Sequence, residues 1–316
     1  MEGGAELRTV TAVVVVWNSG DLVVEQLRTL EPAFAEGMRM VLLDNASADD
    51  SFARMSHFLE GWRFAGQVEL LRSGANVGFC AGVNRCVETA LAGSPAPEFI
   101  WMLNPDAVVN EQTIQELVAV NALSGCQIVC PQPWMAAKPA AAGWPRSFWL
   151  PYRPPERASS TPRWWVTSGY QGACVLFEAQ LARSLVKRDG YLLDPRLFMY
   201  CDERDTVERA RSLGARVAAS RDAMLEHDGG GASDGTRLAA ARQYYLSRNA
   251  ILVGLRHLPR RDLVWMLPLH LLRDATWLVR ATLSGGHPHV RGHFEGVLDA
   301  FRGRTGRWSR HPDANR

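Results

Sequence analysis

Apolar runs and amphipathic stretches alternate along the first half of the chain. Residues 11–17 form a nearly unbroken apolar, β-branched run, which predicts a strand buried on both faces of a parallel sheet. Runs at 40–43, 68–71 and 99–103 predict three more strands, and the segments between them carry apolar residues at helical spacing. This alternation with short connections predicts an α/β fold, a mostly parallel sheet flanked by helices.

Polar residues stand where these predicted strands end. Asparagine and aspartate also favour turns for purely local reasons. Ligands of such sheets, however, bind beyond the carboxyl ends of the strands, so four successive polar ends predict a ligand site at this edge. The residues are Trp17 and Asn18, Asp44 and Asn45, Asn76, and Asn104 with Asp106.

An acidic cluster follows the apolar run 197–201. Asp202, Glu203 and Asp205 crowd like charges together, which is typical of metal or acid–base sites. If a helix begins at Asp202, the same acids also stabilise its N-terminus, which is the purely structural explanation. On such a helix Asp205 lies four residues before Arg209, a spacing that predicts a structural ion pair. Further along, His227 ends another predicted strand beside a run of glycines, where an imidazole suits a metal ion or a phosphate.

The segment 131–165 interrupts the pattern of strands and helices. It contains eight of the 17 prolines and five of the 11 tryptophans, and proline at this density excludes regular structure. Long loops in compact domains are often lids or binding loops, and indole faces suit sugar rings. The alternative is that the rings anchor the loop to the core. From 233 onward the chain is predicted to be helical.

Charge and cysteine content narrow the function classes. The formal net charge is only +2, so nothing favours a nucleic-acid binder. Six widely spaced cysteines supply neither a disulfide scaffold nor a zinc ligand set, and the dinucleotide and P-loop glycine motifs are absent. Neither a signal peptide nor an apolar run of membrane-spanning length is apparent, which predicts a cytoplasmic protein. The arginine-rich segment 256–316 leaves open peripheral contact with the inner face of a membrane.

Taken in order, the motifs resemble those of inverting family 2 glycosyltransferases of GT-A fold, in particular the branch of rhamnosyl- and galactofuranosyltransferases. The resemblance covers about residues 9–255, and its specificity comes from order and spacing. It implies a catalytic GT-A domain over 1–232 and a helical C-terminal region over 233–316. The matching segments are VVVVWNS at 13–19, LLDNASADDS at 42–51, NVGFCAGVN at 76–84, LNPDA at 103–107, GA at 172–173, GYLLDPRLFMYCDERD at 190–205, EHDGGGAS at 226–233 and YYLSRN at 244–249.

The resemblance also implies roles for individual residues. Glu203 would be the general base by register, with Asp202 beside it in swapped order relative to the family's E-D-x-D. Asp106 would bind Mg²⁺ or Mn²⁺, with His227 as a second ligand of the metal or the diphosphate. Asp44 would accept the imide N–H of the base, and Arg248 would contact the diphosphate. The other expected nucleotide-site residues are Trp17, Asn18, Asn76, Gly78, Asn84 and Asn104, and those on the acceptor side are Trp144, Trp149, Gly172 and Ala173.

The activity implied by the resemblance is transfer of a rhamnose- or furanose-type sugar from a nucleoside-diphosphate sugar to a hydroxyl group. The acceptor would be a glycan, a lipid-linked glycan or a small natural product, in polysaccharide or antibiotic biosynthesis. A carboxylate base and a divalent ion suit this single, inverting displacement. A sugar nucleotidyltransferase is the first alternative, but it should show a basic, glycine-rich loop where this chain has VVVVWNSGD. A non-catalytic sugar-binding module is the second, and it would leave the acidic cluster without a purpose.

Overall fold

The described part of the protein contains an eight-stranded sheet with helices on both faces and a separate two-stranded sheet. A computed structural model describes residues 7–132, 162–227, 237–264 and 288–309, and positions 268, 272, 275, 276 and 279. The described strands are β1 Val10–Val16, β2 Arg39–Asp44, β3 Val68–Arg72, β4 Phe99–Leu103, β5 Ala107–Val108, β6 Ile128–Pro131, β7 Trp164–Thr167, β8 Cys174–Glu178, β9 Val217–Ser220 and β10 Glu226–His227. The described helices are α1 Gly20–Thr29, α2 Glu31–Ala35, α3 Ser51–Glu60, α4 Phe79–Ala92, α5 Glu111–Ser124, α6 Ala179–Asp189, α7 Asp202–Arg211, α8 Arg237–His257 and α9 Pro288–Phe301.

The strand order in the large sheet is β3-β2-β1-β4-β8-β6-β9-β7. The first four strands of this order are parallel, which confirms the predicted α/β fold. Strand β8 then runs antiparallel to both β4 and β6, and β7 runs antiparallel to β9. Since β3, β2, β1 and β4 all end at one edge, the polar residues that follow them meet there.

The central strand β1 is buried on both faces, as its apolar run predicts. Val13 and Val15 join the core under α4 and α6, whereas Val14 and Val16 join the core under α1 and α5. This alternation is the two-residue period of a strand. Two cores therefore hold the strand ends, and the loops that follow them, in fixed positions.

The helices α8 and α9 pack in unusually close contact. A methyl group on Gly292 would overlap the carbonyl oxygen of Ala240, and one on Gly296 would overlap that of Tyr244. Tyr244 in turn donates to Asp299 of α9 at 2.9 Å. The two helices are therefore packed backbone against backbone at both glycines, with no room for a side chain. Within the described part of the chain, no helix combines the length and apolar character that a membrane crossing needs.

Candidate active site

The loops after β2 and β3 are joined by the side chain of Asn45. Its amide nitrogen donates to Asn76 Oδ1 at 3.2 Å and to the Gly78 carbonyl at 3.3 Å, while its Oδ1 accepts the Val77 N–H at 3.0 Å. Asn45 is buried and follows Asp44 directly. One amide therefore sets the distance between two of the predicted nucleotide-site loops.

Asp44 is a fully buried carboxylate at the end of β2. One oxygen accepts the Ser47 N–H at 3.4 Å, and among the described residues the other oxygen has no hydrogen-bond partner. The Nε of Arg72 lies 3.7 Å from that second oxygen, and its side chain is 61% exposed. A buried acceptor without a partner is costly, so Asp44 suits a ligand N–H that displaces Arg72.

The end of β1 is tied to the end of β2 through Asn18. Its N–H donates to Ser47 Oγ at 2.9 Å, and its Oδ1 accepts the Ala48 N–H at 2.8 Å. Asn18 has a positive φ of 52°, a conformation that asparagine tolerates better than most residues. Trp17 is 42% exposed, and it follows Val16, which pairs with Asp44 in the sheet.

Gly78 marks a close approach between two loops. It has φ of +86°, and an added Cβ would lie 2.5 Å from the ring of Phe198. Glycine is required there for both reasons. The turn after β3 thereby contacts the segment that leads into α7.

The Asn104–Asp106 segment is fixed by its neighbours on both sides. The Asn104 N–H donates to the Ala173 carbonyl at 2.9 Å, and its own carbonyl accepts from Gln26 Nε2 at 3.0 Å. Strand β5 follows at once and pairs with β10, with Ala107 opposite His227. Because Ala107 follows Asp106, this register brings the backbone of His227 close to that of Asp106. The resemblance assigned both residues to one metal site, although they lie far apart in the chain.

These two residues fit a divalent ion only in part. In the part of the chain that the structure describes, no group of three or more His, Cys, Asp or Glu could bind a metal by itself. Mg²⁺ is commonly bound through one or two protein carboxylates, with substrate phosphates and water as the remaining ligands. A carboxylate at Asp106 with His227 opposite its neighbour is compatible with such a site when phosphate is present.

Helix α7 begins at Asp202, the start on which the structural explanation of the acidic cluster depends, and carries Glu203 in its first turn. The Glu203 carboxylate lies against Gly172, whose N–H bonds to it and where an added Cβ would meet Oε1 at 2.8 Å. Gly172 precedes Ala173, the residue bonded to Asn104. Glu203 and Asp106 are therefore linked through the contact of Gly172 and Ala173 with Asn104, beside the paired strands β4 and β8.

The two adjacent acids differ in their surroundings. Asp202 is 2% exposed and one of its oxygens has no hydrogen-bond partner among the described residues, whereas Glu203 is only half-buried. Burial raises the pKa of Asp202 well above its usual range, and the charge of Glu203 adds to this rise. Burial also raises the pKa of Glu203, but backbone N–H groups, including that of Gly172, oppose the rise. Glu203 is thus the acid that a substrate can reach.

The predicted structural pair between Asp205 and Arg209 is confirmed. Arg209 Nε lies 2.6 Å from Asp205 Oδ2, and both side chains are buried. Arg256 and His257 of α8 contact the other oxygen at 3.1 and 2.8 Å. Burial would raise the pKa of Asp205, but the hydrogen bonds from His257 and Arg209 hold it below its usual range. Asp205 therefore joins the helix of Glu203 to α8.

The assignment of Arg248 to the diphosphate is wrong in this structure. Its side chain has no exposed surface, and its guanidinium donates to the carbonyls of Leu197 at 2.9 Å and Gly306 at 2.6 Å, and to Asn249 Oδ1 at 2.9 Å. All of these partners belong to the protein. Arg248 therefore braces the turn before α7 and does not face a ligand.

Two further assignments are corrected for the same kind of reason. The side chain of Asn84 is fully used by the backbone of Leu192 and Leu193, accepting both N–H groups and donating to the Leu193 carbonyl. It positions the turn before α7 instead of lining the nucleotide site. Ala173 is 3% exposed, and its side chain lies in the core instead of facing an acceptor. Trp144 and Trp149 lie outside the described residues.

Three site residues received no individual role from the sequence. Asn45 is one of the predicted polar strand ends, but the resemblance assigned a role only to its neighbour Asp44. Asn249 donates to the carbonyls of Leu197, Met199 and Tyr200 at 2.9, 2.7 and 2.9 Å. Tyr200 lies near both acidic groups of the site. The only sequence signal for the last two was their presence in matched segments.

A known protein family matches the part of the chain that contains most of the candidate site. The family described as "Glycosyl transferase family 2" matches residues 11–185, more than half of the 316-residue chain. The low-salt glycan biosynthesis hexosyltransferase Agl10 of Haloferax volcanii is 23% identical over 293 residues, covering 90% of this chain and 89% of that protein. The match thus extends beyond the family region into the C-terminal helices.

Solved structures share the fold. The mannosyltransferase PcManGT of Pyrobaculum calidifontis, solved with GDP-Man and Mn²⁺, superposes with a TM-score of 0.59 at 15% identity, covering 93% of this chain and 87% of that one. GalNAc-T7, solved with UDP, GalNAc and Mn²⁺, gives a TM-score of 0.56 at 15% identity, covering 78% of this chain and 47% of that one. At such identities these likenesses concern the fold alone.

Proposed function

The chain belongs to glycosyl transferase family 2 and is a glycosyltransferase, and from this premise we propose that it moves a hexose from a nucleoside-diphosphate sugar to an acceptor hydroxyl with inversion. The observation that carries the proposal is the placement of Glu203. Its half-buried carboxylate lies against Gly172, and the next residue, Ala173, accepts the N–H of Asn104, two residues before Asp106. This chain of contacts supports one site that combines Glu203 as base with Asp106 as the acid on the diphosphate side.

In the proposed reaction, Glu203 accepts the proton of the acceptor hydroxyl as its oxygen attacks the anomeric carbon. General-base catalysis requires this carboxylate within hydrogen-bond reach of the hydroxyl, and its exposure allows that where Asp202 is sealed off. Burial and the charge of Glu203 both raise the pKa of Asp202, so Asp202 holds a proton more readily than Glu203, and Glu203 is the acid of the pair that serves as the base. The backbone N–H of Gly172 orients the Glu203 carboxylate.

For the donor, we propose that Asp44 accepts the imide N–H of the base and that Trp17 covers it, with Asn18, Asn76, Gly78 and Asn104 shaping the surrounding loops. The unsatisfied oxygen of Asp44 supports this role. The solved relatives contain GDP-Man and UDP, and an imide N–H is common to both bases. The relatives are named for transfer of hexose and mannose, and the narrower rhamnosyl or galactofuranosyl donor stays a prediction.

Asp106 and His227 are the proposed ligands of Mg²⁺ or Mn²⁺. Their support is the β5–β10 register and the Mn²⁺ of the solved relatives. When bound, such an ion supplies positive charge against the diphosphate. On the acceptor side we propose a glycan, a lipid-linked glycan or a small natural product, bound near Gly172 and the segment of Trp144 and Trp149.

Helix α9 supports the proposal of peripheral membrane contact. Phe294, Leu298 and Phe301 recur at helical spacing and are all about half-exposed. Arg291, three residues before Phe294, belongs to the same helix face and is largely exposed. An apolar strip beside arginines suits an anionic lipid surface.

The proposed activity is tested by incubating the protein with GDP-, UDP- and dTDP-hexoses, Mg²⁺ or Mn²⁺, and hydroxylated acceptors. Acceptor-dependent release of nucleoside diphosphate and inverted anomeric configuration by NMR are expected. Release of pyrophosphate from a nucleoside triphosphate and sugar phosphate would indicate a nucleotidyltransferase instead. Sugar binding without release of nucleotide would indicate a binding module.

Asp106→Ala is expected to abolish the metal-dependent part of nucleoside-diphosphate binding, because it removes the carboxylate from the site. We expect the affinity gain from Mn²⁺ to fall by at least about tenfold, as is typical when metal-site residues are lost. Calorimetric titration of GDP and UDP, with Mn²⁺ and with EDTA, measures it. Asp262→Ala, an exposed acid beyond α8, is the control. Binding that is the same with Mn²⁺ and EDTA in the unmodified protein would refute the metal assignment.

A further inference from the structure

Three of the four residues before α7 adopt a strained backbone. Phe198, Tyr200 and Cys201 have positive φ angles of 68°, 66° and 63°, and none of them is glycine. Such a conformation is unfavourable and persists only where the surroundings determine it, which happens most often at functional sites. The segment connects the turn at Leu197 with the helix that carries Glu203.

Helix α8 imposes this conformation. The amide of Asn249, which has no exposed surface, donates to three carbonyls of the segment, those of Leu197, Met199 and Tyr200. The ring of Phe198 stacks on Tyr245 with centroids 5.2 Å apart. Because one side-chain amide binds three carbonyls of this short segment, few other backbone conformations are possible. The position of Tyr200 is therefore fixed by Asn249.

Tyr200 is thereby placed among the charged groups of the site. Its side chain is half-buried and packs near the N-terminal half of α8. Burial raises the pKa of its phenol, and the nearby carboxylates of Glu203, Asp106 and Asp202 raise it further, while Arg242 opposes them. The phenol is therefore a neutral O–H donor in electrostatic reach of both the base and the acid on the diphosphate side.

Arg242 is the cation at this position. It lies on α8 six residues before Arg248, and its side chain is exposed. Among the residues that the structure describes, no carboxylate lies within ion-pair distance of it. Arg242 lies one helical turn before Tyr245, whose ring stacks on Phe198, and the ring of Phe198 lies against Gly78 of a nucleotide-site loop. An exposed arginine at this position, without a carboxylate partner among the described residues, is available to an anion. Arg248 offers no such availability, since its donors are all used by the protein.

We propose that Arg242 and the Tyr200 phenol together bind the diphosphate of the donor and stabilise it as it leaves, a role that rests on the proposed function. The bond between the anomeric carbon and the diphosphate oxygen breaks, and its electron pair stays on that oxygen. The acceptor oxygen forms the new bond, and its proton passes to Glu203. Donors aimed at the oxygen that gains charge act most strongly in the transition state. Asn249 is the positioning residue that holds Tyr200 in place.

The test separates binding from turnover with two variants and one control. Arg242→Gln removes the charge at an exposed position, and Tyr200→Phe removes only the hydroxyl. Arg260→Gln is the control, an exposed arginine just beyond the other end of α8. The quantities measured are the Kd for GDP, UDP and dTDP, kcat, acceptor KM, and the rate of donor hydrolysis without acceptor.

Arg242→Gln is expected to raise the Kd of the bound nucleoside diphosphate by about tenfold to a hundredfold, the range for a lost charge-assisted contact. Tyr200→Phe is expected to lower kcat and acceptor-free hydrolysis in parallel, by about 10²-fold. An unchanged Kd in Arg242→Gln overturns the proposal. So does a Tyr200→Phe variant that raises only acceptor KM and keeps its hydrolysis rate, because the phenol then serves the acceptor.

The binding measurement does not depend on turnover. If the unmodified protein binds a nucleoside diphosphate but transfers no sugar, the proposed function fails while the Arg242 comparison still decides the inference. If it transfers sugar and Arg242→Gln binds as tightly as Arg260→Gln, the inference fails while the function stands.

Discussion

Replacing Glu203 with glutamine is expected to lower kcat by about 10²–10⁴-fold, the usual cost of losing a general base. Glutamine keeps the volume and can still accept the Gly172 N–H, but it cannot take up the acceptor proton. Donor binding should be retained, because the proposed donor contacts come from Asp44, Trp17 and Asp106, and glutamine keeps the contact with Gly172. Steady-state kinetics with a titration of nucleoside diphosphate separate the two quantities.

The pH profile gives a second measure of the same role. Because burial raises the pKa of Glu203, the acid limb of kcat/KM should lie above the ordinary carboxyl value of about 4.3, with activity rising as the base loses its proton. The glutamine variant should lack that limb. Asp202→Asn is the matched comparison on the adjacent acid. A nearly inactive Asp202→Asn beside a normal Glu203→Gln would show that the two acids have exchanged roles.

Asp205→Asn is expected to destabilise the fold by about 3 kcal/mol. Asparagine preserves the shape but leaves the buried guanidinium of Arg209 and the partly buried Arg256 without their shared charge. Breaking a buried pair usually costs about 3–5 kcal/mol, and the lower end applies because Asp189 and Asp194 still face these arginines. Urea unfolding at neutral pH measures the loss.

The acid dependence of stability follows from the sign of the shift. The folded-state pKa of Asp205 is depressed, so its contribution is fully present above the unfolded value of about 3.9 and is lost as pH falls through the folded value. The asparagine variant should lack this contribution to acid denaturation. Asp50→Asn is the matched control, since Asp50 pairs with Arg54 at the same i,i+4 spacing but both are about half-exposed. Equal losses in the two variants would contradict the role of burial.

Most of the nucleotide half could be predicted from the sequence because its signals are local. The apolar run at 11–17 marks a strand buried on both faces, and polar residues directly after strands mark the edge where ligands bind. The antiparallel orientation of β8 relative to β4 could not be predicted. The apolar run at 172–177 predicts a buried strand but carries no signal for whether it pairs in a parallel or an antiparallel way. The pairing of His227 with Ala107 could not be predicted from the sequence either. It supports the proposal that His227 and Asp106 belong to one site.

The polar residues of the site show where sequence reasoning fails. Arg248 and Asn84 lie in matched motifs, and both have side chains that could serve a ligand or the backbone. Which of the two they serve depends on where the carbonyls of Leu197 and Leu193 fall after folding, and those turns are set by contacts far along the chain. Asp205 was assigned correctly because its partner, Arg209, lies on the same helix at a spacing that the sequence displays.

The glycine contact between α8 and α9 has a consequence for how this chain tolerates sequence variation. Gly292 and Gly296 admit no side chain, and the helix they touch also carries Asn249, which shapes the turn before the base. Substitutions at these two positions should therefore shift α8 and lower the catalytic turnover, so natural selection should remove them, although neither glycine belongs to the reaction centre. In a collection of natural variants, positions 292 and 296 should be as restricted as the acids of α7, and a survey limited to the nucleotide half would miss that constraint.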